Sequence, residues 1–160
     1  MSVLKNKCGI SPPWVPGGGT ARPPVVEFGA IWDTGATNSV ITEAVVTACG
    51  LAPTGMAQVR GVHGVAQAET YLVNIALPNI VMFTSIRVTK GDIGGADILI
   101  GMDVIGMGDF SVTNAQGTTK FSYRTPSIEH VDYVEVHNKL FAKKTAPVTR
   151  AERRREKFGR

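Results

Sequence analysis

From Val25 to Tyr123 the apolar positions fall in short runs with a period near two, broken at frequent intervals by glycine, proline, asparagine and aspartate. This is the pattern of strands joined by tight turns. Val25–Trp32 is the first clear strand, and the turn at Asp33–Gly35 leads into a second apolar segment, Ser39–Ile41. Thr42 reads as a helix N-cap, with Glu43 in the first turn and Gly50 closing a short helix over Ala44–Cys49. Ala57–Val62 and Val65–Ala76 alternate as strands and meet at Gly61-Val62-His63-Gly64, a hairpin tip. Ile80–Thr89 predicts another strand. Ile98-Leu99-Ile100 is fully apolar and ends at Gly101, after which Asp103–Gly106 predicts a short helix. Phe110–Thr113 and Thr118–Tyr123 form a hairpin around Asn114-Ala115-Gln116-Gly117. Glu129–Phe141 fits a helix or a further strand, and periodicity leaves both open. The expected fold class is mainly β, with one or two short helices.

The ends of the chain break this pattern. Residues 1–24 contain Pro12-Pro13, Pro16-Gly17-Gly18-Gly19 and Pro23-Pro24, which oppose helix and central strand alike, so an extended flexible arm is expected. The triple glycine is not a phosphate loop, because no Gly-Lys-Ser/Thr follows it and no strand is expected before it. A domain over 25–125, an extension over 126–142 and a basic tail over 143–160 complete the expected organisation. A length of 160 residues suits one domain, and 18 glycines and 9 prolines suit many short strands.

The net charge of +4 belongs to the tail, not the domain. Residues 143–160 carry eight Lys/Arg and two Glu, leaving the other 142 residues at −2. A solvated terminus is the simple reading of that charge, since no aromatic platform accompanies it, and nucleic acid is not the expected partner. Arg150, Arg153, Arg154, Arg155, Lys157 and Arg160 leave a rival reading, a grip on nucleic acid or an acidic partner. No apolar stretch approaches the roughly 20 residues that span a bilayer. Lys5 and Lys7 precede no apolar block, so the cytoplasm is the expected location. Cys8 and Cys49 are too few for a disulfide framework, and His63, His130 and His137 lack zinc-ligand spacing; no metal is expected.

Chemistry concentrates at Asp33-Thr34-Gly35-Ala36. A carboxylate in a tight turn between two apolar strands is a costly arrangement unless it serves a reaction. About 25 residues on comes the glycine-flanked hairpin Gly61-Val62-His63-Gly64, and later the apolar run into Gly101. In this order and spacing the three elements resemble the retropepsins, the retroviral-type aspartic proteases. Met102-Asp103-Val104-Ile105-Gly106 and Gly108-Asp109-Phe110 look more like bacterial members than viral ones. The resemblance covers roughly residues 25–125.

What the resemblance implies is specific. The fold would be the closed β-barrel of acid proteases. Asp33 would be the catalytic carboxylate, and because that chemistry needs two, a single copy implies a homodimer. Gly35 would adopt an unusual backbone geometry and offer its N–H to the carboxylate, Thr34 would bond to the partner's loop, and Ala36 would complete the loop. Gly61, Val62, His63 and Gly64 would form the substrate-covering flap; His63 departs from the small residues of glycine-rich viral flaps. Ile100 and Gly101 would pass under the Asp33 loop, where a side chain at 101 would collide. Asp97 and Asp103 flank Gly101 and are expected to cap a turn and a helix N-terminus. The substrate would be a peptide or protein, this chain included, and no cofactor is needed. A non-catalytic dimeric peptide-binding or assembly module of the same fold is the alternative.

Overall fold

The computed structural model describes residues 3–14, 17, 19, 21–61 and 64–145. Within them run strands β1 (Lys5–Ser11), β2 (Val26–Trp32), β3 (Val40–Ile41), β4 (Gly55–Gly61), β5 (Gly64–Ala76), β6 (Met82–Lys90), β7 (Ile98–Ile100), β8 (Asp109–Thr113) and β9 (Lys120–Arg124). Helices α1 (Glu43–Cys49) and α2 (Met102–Ile105) belong to the same unit, Met1–Ile128, while α3 (Tyr133–Thr145) belongs to a second, Glu129–Arg160. Among the described residues no helix is long and apolar enough to cross a membrane.

Seven strands form one sheet in the order β1-β2-β7-β3-β6-β5-β4, and β1 also pairs with β5. That last pairing, Gly9 to Ser11 against Ala76 to Asn74, joins six of the strands into a ring. The mainly β expectation holds. The expectation of a structureless arm over residues 1–24 does not hold at Lys5–Ser11. Prolines dominate that stretch only from Pro12 onward, and the preceding Cys8, Ile10 and Ser11 are buried. Cys8 is therefore a core thiol, pushed up to about 12 chiefly by burial, and not part of a loose arm. Trp32 Nε1 donates to Asn6 Oδ1 at 2.9 Å, a second tie between β1 and β2.

The core follows the alternation read from the sequence. Ile10, Ile41, Val45, Val73, Ile75, Val88, Ile98, Ile100 and Val104 are completely buried. Each such side chain contributes roughly 1.5–3 kcal/mol of burial free energy. Gly50 closes α1 in the left-handed region at φ 58°, as expected of a C-cap glycine. Thr42 takes the N-cap position of α1, but its side chain makes no capping bond. The strand expected from Ile80 begins only at Met82, because Ile80 sits in a turn at φ 68° and is 97% exposed. The β8–β9 hairpin lays three aromatic rings against Trp32, with Phe110 stacked at 5.5 Å, Tyr123 at 5.1 Å and Phe121 at 5.8 Å. Tyr123 also donates its hydroxyl to Val104 O at 2.8 Å, anchoring the hairpin on α2.

In the second unit, the segment that periodicity left open is helical. Asp132 Oδ1 accepts from Val134 N at 2.8 Å and Glu135 N at 3.1 Å, starting α3, and Lys139 pairs with Glu135 one turn away. The tail from residue 146 lies outside the described residues.

Candidate active site

β7 lies between two strands of opposite sense. It runs parallel to β2 (Ala30 with Ile98, Trp32 with Ile100) and antiparallel to β3 (Val40 with Leu99, Ile41 with Ile98). The loop that joins β2 to β3 must therefore cross over the end of β7. Asp33 opens that loop. Its N–H donates to Ile100 O at 3.0 Å, extending the β2–β7 pairing by one residue, and its carbonyl accepts from Ala36 N at 3.2 Å to close the turn.

The carboxylate of Asp33 is exposed in the single chain, and its Oδ1 accepts from Gly35 N at 2.8 Å. The expected N–H contact is thus present, but the reason for glycine differs from the one anticipated. Gly35 has no positive φ; a Cβ there would lie 3.2 Å from Asp33 Oδ1, pressing on the carboxylate that its own N–H binds. Thr34 is exposed beside it, and Ala36 is half-buried, its carbonyl accepting from Met102 N at 2.8 Å. These four residues form one continuous turn.

Gly101 sits where the sequence placed it. A Cβ at this position would come within 2.7 Å of Asn38 C and O and 3.0 Å of Ala36 O, so the loop and the end of β7 are in backbone contact. Ile100, fully buried, supplies the carbonyl that receives Asp33 N.

Asp103 does more than cap a helix, and here the sequence reading is corrected. The N-cap of α2 is Gly101, and Asp103 lies in the helix itself. Its Oδ2 accepts from Ser39 N at 2.9 Å, and its Oδ1 accepts from Ser39 Oγ at 2.8 Å and Val104 N at 3.0 Å. The Ser39 hydroxyl in turn accepts from Gly101 N at 3.0 Å, and Asp103 N donates to Thr37 O at 3.1 Å. Ser39 was not singled out from the sequence, because its partner lies 64 positions away. The one signal was an aspartate two residues past the glycine that the loop crosses. Asp97 caps no local turn here: its Oδ2 accepts from Gly29 N at 3.2 Å, tying the start of β7 to the middle of β2, 68 residues away.

The hairpin expected to serve as a flap is β4–β5, paired from Gly55 with Thr70 to Gly61 with Gly64. Gly64 has φ +115°, a conformation that favours glycine. Val62 and His63, the expected tip, lie outside the described residues. The register puts Ala57, Ala68, Val59 and Ala66 on one face and Gln58, Gln67, Arg60 and Val65 on the other.

Two further features are separate from the Asp33 loop. A cavity of about 390 Å³ is lined by Thr42, Glu43, Ala44, Lys90, Gly91 and Asp92. Lys90 bridges Glu69 at 2.5 Å and Glu43 at 2.9 Å, and these carboxylates raise its pKa. Among the described residues no group of three or more His, Cys, Asp or Glu is placed to hold a metal ion.

The family model described as "gag-polyprotein putative aspartyl protease" matches residues 26–107. That span holds the Asp33 loop, the β4–β5 hairpin, β7 and α2. Among solved structures, the chain is similar to EIAV protease complexed with the inhibitor HBY-793, with 18% identity over 66% of this chain and 86% of that one and a TM-score of 0.50. It is also similar to a retropepsin-like aspartic protease from Rickettsia conorii, with 15% identity over 71% of this chain and 89% of that one and a TM-score of 0.44. The identities are low, so what the first of these establishes is the fold. No curated protein sequence matches this chain.

Proposed function

This chain belongs to the gag-polyprotein aspartyl protease family, and from that premise we propose that it is an aspartic endopeptidase, active as a homodimer with one Asp33 from each subunit. One observation carries the proposal. The backbone of the Asp33 loop is bonded to the end of β7 and to α2, while the carboxylate itself faces outward, exposed, with Gly35 N–H on one oxygen. A carboxylate held this firmly by its backbone and left open at its tip is prepared to meet a second one across a two-fold axis.

Two carboxylates about 3 Å apart cannot both ionise cheaply, so the pair shares one proton. The ionised member accepts a proton from a bound water, whose oxygen attacks the scissile carbonyl carbon. The protonated member donates to the carbonyl oxygen as charge develops there. Collapse of the tetrahedral intermediate breaks the C–N bond, and the pair returns a proton to the leaving nitrogen. The proton balance closes within the dyad, with no metal or organic cofactor. Thr34, exposed in the same turn, is suited to bond the partner subunit's loop and fix the carboxylate spacing. The β4–β5 hairpin, with Gly61 and Gly64 at its end, would open for a peptide and close over it.

The reducing cytoplasm fits the free thiols Cys8 and Cys49. The protease unit would include β1, since Lys5–Ser11 pairs with both β2 and β5.

Asp33→Asn keeps size and most hydrogen bonding but cannot cycle a proton. Purified to exclude contaminating protease, it should lose all cleavage of an unfolded protein substrate while melting and sedimenting as wild type does. Retained cleavage would overturn the proposal and leave the peptide-binding module as the reading.

A further inference from the structure

We infer that Asp103, acting through Ser39, is a positioning residue for Asp33: it sets the height and tilt of the catalytic loop within each protomer, before any partner is bound. The inference rests on the proposed protease function for its catalytic consequence, but the hold itself is a matter of hydrogen bonds.

The loop from Asp33 to Ser39 has two attachments. At its start, Asp33 N is bonded to Ile100 O. At its far end, Ser39 is completely buried, and a buried hydroxyl must be satisfied. It is satisfied in both senses, donating to Asp103 Oδ1 and accepting from Gly101 N. Between the two ends, Met102 N and Asp103 N donate to Ala36 O and Thr37 O. One side chain, Asp103, thus joins the loop's end to the segment on which the loop's middle rests.

Only an acceptor-only group keeps all three bonds at 103, although Val104 N–H also has Gly101 O at 3.1 Å. Oδ2 faces Ser39 N–H, and Oδ1 faces both the Ser39 hydroxyl and Val104 N–H. Asparagine offers one oxygen and one NH₂ group. Turned one way, its NH₂ opposes Ser39 N–H; turned the other, it opposes Val104 N–H. Neither rotamer keeps all three bonds. The charge-assisted bonds to a carboxylate are also the stronger ones. Asp103→Asn, almost identical in volume, should therefore loosen the loop without opening a cavity.

A loosened loop misplaces Asp33 by a fraction of an ångström to an ångström. Misplacement of that size lowers a reaction rate by up to about 100-fold while leaving binding contacts elsewhere in place. A merely structural aspartate would lower thermal stability and change nothing in the folded dimer that remains.

The test compares full-length wild type, Asp103→Asn, Ser39→Ala and the double variant on fluorescein-labelled casein, well below the melting temperature of each. Dimer occupancy is measured by sedimentation, and the exchange of backbone amides in residues 33–39 and in β5 by mass spectrometry. Asp103→Asn should lower kcat per dimer about 10- to 100-fold with KM and the dimer constant changed less than about 3-fold. The double variant should be no worse than Asp103→Asn alone, because both changes break one network. Exchange over 33–39 should accelerate, with β5 unchanged. Wild-type kcat per dimer in Asp103→Asn, or unaltered exchange in 33–39, overturns the inference. If Asp103→Asn does not fold, Ser39→Ala carries the test, with a smaller fall in kcat expected and an unchanged kcat refuting. Should wild type cleave nothing while Asp103→Asn still accelerates exchange over 33–39, the protease reading fails and the positioning of the loop stands.

Discussion

Gly101→Ala adds one methyl group at the point where the Asp33 loop crosses β7. The backbone at 101 is extended, with φ −97° and ψ −172°, so alanine meets no conformational obstacle. The obstacle is steric. The new Cβ would lie 2.7 Å from both Asn38 C and Asn38 O and 3.0 Å from Ala36 O, where unstrained carbon contacts are about 3.5–4.0 Å. All three neighbours are backbone atoms and cannot swing away. Overpacking of this kind costs about 1–3 kcal/mol, and rigid neighbours place this case near the upper end. Alanine recovers about 0.4–1 kcal/mol by narrowing the unfolded ensemble. A net loss of about 2 kcal/mol remains, which for a unit of this size is a fall in Tm of about 6–12 °C. Cleavage should fall as well, because the loop can relieve the clash only by lifting off Met102 N and Ile100 O, and Asp33 moves with it. Gly94→Ala is the control: nothing lies within 4 Å of its Cβ and its φ is not in the left-handed range, so its Tm should stay within a degree or two of wild type. Differential scanning calorimetry of both variants, with cleavage assays at 25 °C, decides the matter. If Gly101→Ala melts and cleaves like wild type, the close crossing of loop and strand is wrong.

Two further outcomes follow from the barrel. Ile10→Ala, at a completely buried position of β1 paired with Val26 and Ile75, should cost about 2–5 kcal/mol in urea unfolding; a loss below about 0.5 kcal/mol would mean that β1 does not close the ring. Asp109 is held below its ordinary value of 3.8, at about 2, by the Ser127 hydroxyl, Arg124 and Ile128 N–H. The folded-state pKa is depressed, so this stabilisation is present above about pH 4 and lost as pH falls toward 2. Asp109→Asn should be less stable than wild type at neutral pH, and its stability should vary less between pH 4 and 2. An unchanged acid limb in urea titrations counts against the clamp.

The sequence was most informative where local chemistry and long-range packing demand the same residue. Gly101 ends an apolar run and also lies under a loop whose Ser39 is 62 residues upstream, so its place was evident before any contact was known. Gly50 and the pairing of Gly61 with Gly64 were readable for the same reason: a turn or cap selects glycine by itself. Residues 5–11 were not readable, because Lys-Asn-Lys-Cys-Gly-Ile-Ser has little alternation and borders a proline cluster. Its strand exists because β2 and β5 both present open edges to it, a tertiary cause with no local mark. Ile80 failed in the opposite sense, an apolar residue drawn into a turn at positive φ and left exposed. Asp103 was noticed but misassigned. An aspartate beside a short helix suggests a cap, and only the fold brings Ser39 to it.

Asp33 and Asp103 stand on either side of one loop, and the difference in their surroundings decides which can react. Asp103 is half-buried and directs both oxygens at three donors, two of them on the loop it supports. A group in that position cannot turn toward a substrate carbonyl without releasing Ser39, and releasing Ser39 frees the loop that the proposed chemistry needs fixed. Asp33 is exposed, with Gly35 N–H on Oδ1, and its position is enforced through its backbone. Its carboxylate can therefore exchange a proton without disturbing what holds it. The division is economical in structural terms: one carboxylate is fixed by accepting hydrogen bonds so that the other need not be. It also separates the two substitutions to asparagine. At Asp33 the amide should remove the reaction and leave the loop in place; at Asp103 it should leave the reacting group intact and lose its position. Amide exchange over residues 33–39 distinguishes them directly, being unchanged in the first variant and faster in the second. The same exchange in both variants would refute the division of roles.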